Sequence, residues 1–325
     1  MSSTLRIGTR GSPLALYQAN AVAGLLRARN GMPCEIVVIK TSGDRLGEAP
    51  LSEAGGKRLF VKEIEDALLA GNVDLAVHSS KDMPALLPEG LEIGGVLPRE
   101  DPRDAIVLPA GQDPEQNLEK IREKLGSAPR IGTSSIRRIA QLASFTPSGR
   151  FLPIRGNLDT RLRKLDSGDY DALILAAAGL LRLERVERIS ALLPVEICVP
   201  APGQGIIAVE IRQGDERVGK IVAVIGDTTA AVALKAERAV VEQLGGGCQM
   251  PIGAYAHAAG GDELAITSLV ASLDGSHVIR IDVRGSIRAP EELGRQAADE
   301  LLAKGAESIL ADARRALSAT ESHQR

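Results

Sequence analysis

The sequence predicts an α/β protein of three units, and three observations predict it. Short apolar runs alternate with segments of helical period along the chain. Two stretches read as copies. RIGTRGSPLALYQA (6–19) matches RIGTSSIRRIAQLA (130–143) with a one-residue offset, and IEDALLAGNVDLAV (64–77) echoes TRLRKLDSGDYDALIL (160–175). In each copy a helix ends at a glycine (Gly71, Gly168) and a strand follows close behind at an aspartate, as two related folding units would give. A third unit follows DTTAAV (227–232).

In the first unit the strands are LRIG (5–8), CEIVVIK (34–40), VDLAVHS (73–79) and LEIGGVL (91–97). Its helices are PLALYQANAVAGLLRAR (13–29), with Pro13 suited to the first helical position, and KEIEDALLAG (62–71). The second unit has strands PRIG (129–132) and YDALILA (170–176), with helices IRRIAQLAS (136–144) and LDTRLRKLDSG (158–168). IIAVEIR (206–212) is a further strand. The third unit holds helix AAVALKAERAVVEQL (230–244), strands ELAITSLVASL (263–273) and HVIRIDVRG (277–285), and a helix from PEELGRQAADELL (290–302). The tail ATESHQR reads as frayed. The first unit is longer than its copy partly through TSGDRLGEAPLSEAGGK (41–57), a polar, glycine-rich segment that reads as a flexible lid.

The bulk properties narrow the function. The chain has 325 residues, 44% apolar and 25% charged, enough for two or three domains. With three Phe, three Tyr and no Trp, the core must be aliphatic. The net charge of −3 makes the molecule no polycation, so anion binding must come from local clustering. No run of eighteen apolar residues marks a membrane span, and MSSTLRIGTRGSPLAL has neither signal-peptide nor transit-peptide character. The three cysteines form no CxxC pair and the four histidines are scattered, so no metal is expected and a reducing cytoplasm is.

The charge is unevenly placed. From Arg130 to Lys164 there are eight basic residues and one acid, Asp159. Seven of the eight are arginine, which suits bidentate recognition of carboxylate or phosphate. In RIGTSSIRR a strand gives way through Thr133, Ser134 and Ser135 to a helix carrying Arg137 and Arg138 in its first turn, a terminus that favours anions. Arg10, Gly11 and Ser12 repeat that design in the first unit. In VDLAVHSSKDMP, Ser79, Ser80, Lys81 and Asp82 fall just past the carboxyl end of a strand, where Asp82 could move a proton or stabilise a cation. GGGCQMPIG (245–253) strips side chains from around the Cys248 thiol. A nucleic-acid binder using the basic segment, in which Phe145 and Phe151 fall, is disfavoured by the compact patch and negative net charge. A non-catalytic anion-binding module leaves GGGCQMPIG without a purpose.

Nine stretches in order carry a resemblance that runs nearly end to end: RIGTRGSPLAL (6–16), GGKRLFVKEIE (55–65), AVHSSKDMP (76–84), REDPRDA (99–105), IGTSSIRR (131–138), RGNLDTRLRKL (155–165), LAAAGLLR (175–182), PGQG (202–205) and GGGCQMPIG (245–253). The chain closely resembles the porphobilinogen deaminases, or hydroxymethylbilane synthases. The resemblance implies a dipyrromethane cofactor joined by a thioether to Cys248, with the glycines clearing room for a pyrrole ring. It implies that four porphobilinogen molecules join head to tail, each losing ammonia, before hydrolysis releases hydroxymethylbilane. Each ring brings an acetate and a propionate, a physical reason for the arginines. Asp82 matches the catalytic aspartate. Lys81, Ser79, Thr133, Ser134, Ser135, Arg137, Arg138, Arg155 and Arg161 match positions that hold the cofactor, and Arg10, Ser12, Arg155 and Arg182 match positions that hold substrate. The implied fold has two doubly wound domains resembling type II periplasmic solute-binding proteins and a small α/β domain carrying the cysteine. The expected boundaries are 1–104 with 205–222, 105–204, and 226–325. A cytoplasmic monomer with porphobilinogen as its small-molecule partner, and neither nucleic acid nor membrane, is expected. Two departures stand out: Tyr17 where Trp is common, and Glu53 where some relatives have Lys.

Overall fold

A computed structural model describes residues 4–45, 60–112, 114–115, 117–246 and 250–322. The first unit runs β1 (Leu5–Thr9), α1 (Pro13–Asn30), β2 (Cys34–Val38), α2 (Ser42–Arg45), α3 (Lys62–Leu69), β3 (Leu75–Ser79) and β4 (Leu91–Val96). The second runs β5 (Asp104–Val107), α4 (Leu118–Leu125), β6 (Arg130–Gly132), α5 (Ile136–Leu142), β7 (Arg150–Leu152), α6 (Leu158–Asp166), β8 (Ala172–Ala176), α7 (Ala177–Arg182) and β9 (Ala191–Leu192). The chain then returns to the first unit with β10 (Ile207–Arg212) and α8 (Glu216–Ala223). The third unit holds α9 (Thr228–Gln243), β11 (Ile252–Gly260), β12 (Glu263–Ala271), β13 (Val278–Ser286), α10 (Pro290–Ala303) and α11 (Ala306–Ser322).

The first sheet has the order β2-β1-β3-β10-β4 and the second β7-β6-β8-β5-β9. In each, the first three strands are parallel and one strand that has crossed from the other half of the chain enters antiparallel, β10 in one and β5 in the other. Both sheets are covered on both faces, because alternate residues point to opposite sides. Leu75, Val77, Val209 and Ile211 pack with Val22 and Leu26 of α1 and Val218 and Val222 of α8, while Ala76 packs with Ile64 and Leu68 of α3. In the second sheet Ala105, Val107, Leu173 and Leu175 face α6 and α7, and Ile106, Ala172 and Ile174 face α4 and α5.

The internal copy is visible in hydrogen bonds. The Arg6 backbone N–H donates to Asp74 Oδ2 at 2.8 Å and its guanidinium grips the same carboxylate. Arg130 does the same with Asp171, N to Oδ2 at 2.7 Å. Gly71 and Gly168, which precede those aspartates, have φ of 72° and 84°, a conformation other residues adopt only with strain.

The third unit is a meander of β11, β12 and β13 against α9, α10 and α11, with Val240, Ile266, Val283, Leu293 and Leu310 in one core. The α9 helix closes on the first two glycines of the cysteine loop: Gly245 N–H donates to Glu242 O and Gly246 N–H to Val241 O. A Cβ at Gly246 would overlap Ile252 Cδ1. Those two glycines therefore end a helix and admit a close contact, a role apart from clearing room at the sulfur. Gly247, Cys248 and Gln249 lie outside the described residues. Of the segment expected to be a lid, Ser42–Arg45 forms the one-turn α2, and 46–57 lie outside the described residues. The end of the chain expected to fray is helical as far as Ser322.

Candidate active site

The parallel strands aim their carboxyl ends at one region. Past β3, Ser80–Asp82 form a single 3₁₀ turn. Past β6, Thr133–Ser135 lead into α5, and past β8 the chain enters α7, whose last residue is Arg182. A pocket gathers Ser80, Lys81 and Met83 from the first unit, Ser135 and Arg137 from the second, and Leu234, Arg238, Val241, Met250 and Ile252 from the third. Ala85, with Ala201 and Pro202 of the returning segment, completes its lining. Met250 and Ile252 come shortly after Cys248 in the chain, so the three units meet beside the described residues that follow that cysteine.

Electrostatics tie this region together. Burial pulls the Lys81 ammonium down to about 8; Asp82 and Asp104 oppose the shift, while Arg138 and Arg137 add to it. Burial likewise pulls Arg161 down to about 10, helped by Arg138 and Arg155 and opposed by Asp82. Five cations thus stand within reach of one another against two carboxylates. Asp82 itself is exposed, so its carboxylate is open to a ligand. Arg182 is buried and donates from Nη2 to Gly205 O at 2.7 Å. Burial lowers its pKa, with Glu100 and Tyr17 opposing.

Several expected ligand contacts are already made within the protein. Asp104 is fully buried between Arg137 and Arg138, 2.8 Å from each. Burial alone would raise its pKa, but the two guanidinium groups hold it well below the usual carboxylate range. Arg138 spends its donors on Asp104 and on Ile174 O. Arg137 reaches Asp104, Val199 O and Cys198 Sγ through Nη1, and it still lines the pocket. Ser79 exchanges hydrogen bonds with the Gln18 amide, Ser12 caps α1, Ser135 caps α5, and Thr133 Oγ1 accepts from Ser135 N–H. Ser134 donates to Ile154 O and accepts from Ile154 N–H. Arg10 is paired with Asp44. The excess of charge in 130–164 is accordingly smaller than the count suggests, since Arg130 is paired with Asp171, and Arg137 and Arg138 share Asp104, both acids outside the segment.

Sequence reasoning assigns no role to three residues of the region. Asp104 stands inside the REDPRDA run but has no pattern of its own. Arg238 enters the pocket from α9 and donates to Ala85 O at 2.6 Å. The sequence offers Ser79 and Ser80 side by side, yet Ser80 is the serine on the pocket wall, 3% exposed, with no hydrogen-bond partner for Oγ among the described residues. A buried hydroxyl and a surplus of desolvated cations are what a polycarboxylate with ring N–H groups would satisfy, so the residues present fit dipyrromethane.

Comparison with known proteins agrees with this fit. A family model described as "Porphobilinogen deaminase, dipyromethane cofactor binding domain" matches residues 5–220, and one described as "Porphobilinogen deaminase, C-terminal domain" matches 231–303. Porphobilinogen deaminase of Syntrophotalea carbinolica is 47% identical, over 95% of this chain and 96% of its own. That of Acidithiobacillus ferrooxidans is also 47% identical, over 97% of this chain and 100% of its own. Among solved structures, the open form of substrate-binding domain 2 of Lactococcus lactis GlnP aligns with 70% of this chain and 87% of its own, at 9% identity and a TM-score of 0.42. With residues 5–220 and 231–303 matched by models of one name and nearly its whole length matched by relatives of that name, the chain belongs to the porphobilinogen deaminase family, transferases of porphyrin biosynthesis that use a dipyrromethane cofactor.

Proposed function

We propose that this chain performs the family's synthase reaction with Asp82 as its catalytic carboxylate and Cys248 as the point of cofactor attachment. The reaction joins four porphobilinogen molecules head to tail with loss of ammonia and ends in hydrolytic release of hydroxymethylbilane. The observation that carries the assignment is the pocket in which the turn bearing Lys81 and the residues flanking the Cys248 loop share one wall. When bound there, dipyrromethane supplies the electron-rich pyrrole carbon that the next ring joins.

The chain's own residues do the rest. Lys81, Arg155 and Arg161 hold acetate and propionate groups, and the guanidinium of Arg137 beyond Nη1 adds donors at the pocket wall. Arg138 holds Arg137's partner Asp104 in place. Thr133, Ser134, Ser135 and Ser79 set the two turns, while Arg10, Ser12 and Arg182 serve the incoming ring. The exposed Asp82 carboxyl oxygen hands a proton to the leaving amine and then, as an anion, faces the pyrrole nitrogen that has turned cationic. Lys81 and Arg161 lie near enough to feel the charge of that carboxylate. The domain limits given above, and a cytoplasmic, monomeric setting, belong to the same proposal.

Asp82→Asn keeps the shape and removes both the proton and the charge. Porphobilinogen consumption should fall by about 10²–10⁴-fold, the usual worth of a general acid–base group. The covalent adduct on Cys248 should still be seen by mass. Near-normal turnover of that variant removes Asp82 from the mechanism.

A further inference from the structure

We propose that Asp44 is a positioning residue that competes with substrate carboxylates for Arg10. The proposal rests on the synthase reading, which gives Arg10 a substrate to bind. Arg10 follows β1 at its carboxyl end, beside the parallel strand that leads to Lys81 and Asp82. Its guanidinium is engaged on an edge and a face. Nη2 donates to Asp44 Oδ1 at 2.5 Å, and Nε lies 3.2 and 3.4 Å from the two carboxylate oxygens. The Phe60 ring centroid sits 4.2 Å from the guanidinium carbon.

Both partners are fixed from behind. Thr41, itself fully buried, donates to Asp44 Oδ2 from Oγ1 at 2.8 Å and from N at 3.3 Å. The Phe60 ring lies so closely against Gly43 that it leaves no space for a Cβ there. The preceding residue, Ser42, donates from N to Glu63 Oε1 of α3 at 2.7 Å. The α2 turn is thereby anchored with its carboxylate turned to Arg10.

The chemistry of the two ligands is the same. An aspartate side chain is a methylene carboxylate, and so is the acetate arm of porphobilinogen. Asp44 therefore offers Arg10 the group that the substrate would offer. The bridge is also exchangeable: both side chains keep about a quarter of their surface in solvent, at 25% and 26%, where such pairs are weak. An arriving ring must take Arg10 from Asp44, and its apparent affinity carries that cost. Asp44 thus keeps Arg10 aimed by a weak ligand until a substrate replaces it.

The test is a double-mutant cycle on the holoenzyme with Asp44→Asn, Arg10→Gln and the pair. Asp44→Asn should lower KM for porphobilinogen about two- to fivefold, the worth of a partly exposed bridge, with the smaller change in kcat. In the Arg10→Gln background the same substitution should leave KM where it was. An unchanged or raised KM in the single variant overturns the proposal, since a purely ordering role predicts a rise. Phenylglyoxal labelling of Arg10, followed by peptide mass, gives a readout independent of turnover. Labelling should be faster in Asp44→Asn than in the parent and be slowed by porphobilinogen; equal rates in parent and variant overturn the proposal. A parent enzyme that consumes no porphobilinogen would refute the synthase reading, while the labelling rates still decide whether Asp44 occupies Arg10.

Discussion

Lys81 shows how burial sets the charge balance of one side chain. Its pKa falls to about 8 because burial disfavours the ammonium, with Arg138 and Arg137 adding to the shift against Asp82 and Asp104. The unfolded chain keeps its proton up to the ordinary lysine value of 10.5, while the folded chain gives it up near 8. Between those values the unfolded state binds more protons, so this lysine makes stability rise with pH across that window and contributes no slope below it. Urea unfolding of cofactor-free protein at pH 7.5 and 9.5 should show a gain in the parent that is smaller in Lys81→Met. An identical pH response in both proteins would mean that Lys81 is not desolvated. Cys198 gives the contrast: burial and Asp104 push its thiol up to about 12, which leaves it inert as a nucleophile. Arg137 and Arg138 are legible as an anion site from RIGTSSIRR, but the anion they meet first is Asp104 of their own chain. No local pattern announces a carboxylate that becomes a partner only through sheet pairing.

At the level of elements, the repeated helix-to-strand turn is the feature that reads most directly from residues to structure. Gly71 and Gly168 stand in the sequence as matched helix ends, and both adopt positive φ with open space where a Cβ would point. Alanine at either place therefore meets only the backbone penalty, about 1 kcal/mol. Because the two turns serve different sheets, Gly71→Ala and Gly168→Ala should each lower the urea midpoint, and their effects should add in the double variant. An unshifted midpoint would contradict the strain. Strands of strong pattern such as VDLAVHS and IIAVEIR are legible for the same reason: branched apolar residues at a clear spacing. Strand β11, IGAYAHAAG, is not, because alanine and glycine carry little strand preference and its place is set by pairing with β12. The three-residue β7 and two-residue β9 are too short to show any period. The first two glycines of GGGCQMPIG suggest room for the sulfur, whereas Gly245 and Gly246 close α9.

Across the whole molecule, the chain crosses between the first two units twice, and the crossings are joined to the third. Glu100 N–H donates to Gly205 O at 3.0 Å, linking the two crossing segments. Arg99 forms a bidentate bridge to the buried Glu237 of α9, with 2.7 Å at each nitrogen, and also donates to Ala256 O of β11. Glu237 in turn accepts from Gly203 and Ala256 N–H groups at 2.7 Å. A charge buried this deeply is tolerable only with its partners complete, so the helix leading to the cysteine loop is fixed to the hinge of the other two units. That placement is the physical reason Met250 and Ile252, which follow the cysteine in the chain, line the pocket of Lys81 and Arg137. It is not legible in the chain, because Arg99 and Glu237 are 138 residues apart. The central claim, that the cysteine loop carries dipyrromethane into that pocket, is tested most directly by the intact mass of the purified chain beside Cys248→Ala. The expected result is an excess equal to two deaminated porphobilinogen units in the parent and none in the variant. A parent mass equal to the bare chain, unchanged after incubation with porphobilinogen, would contradict it.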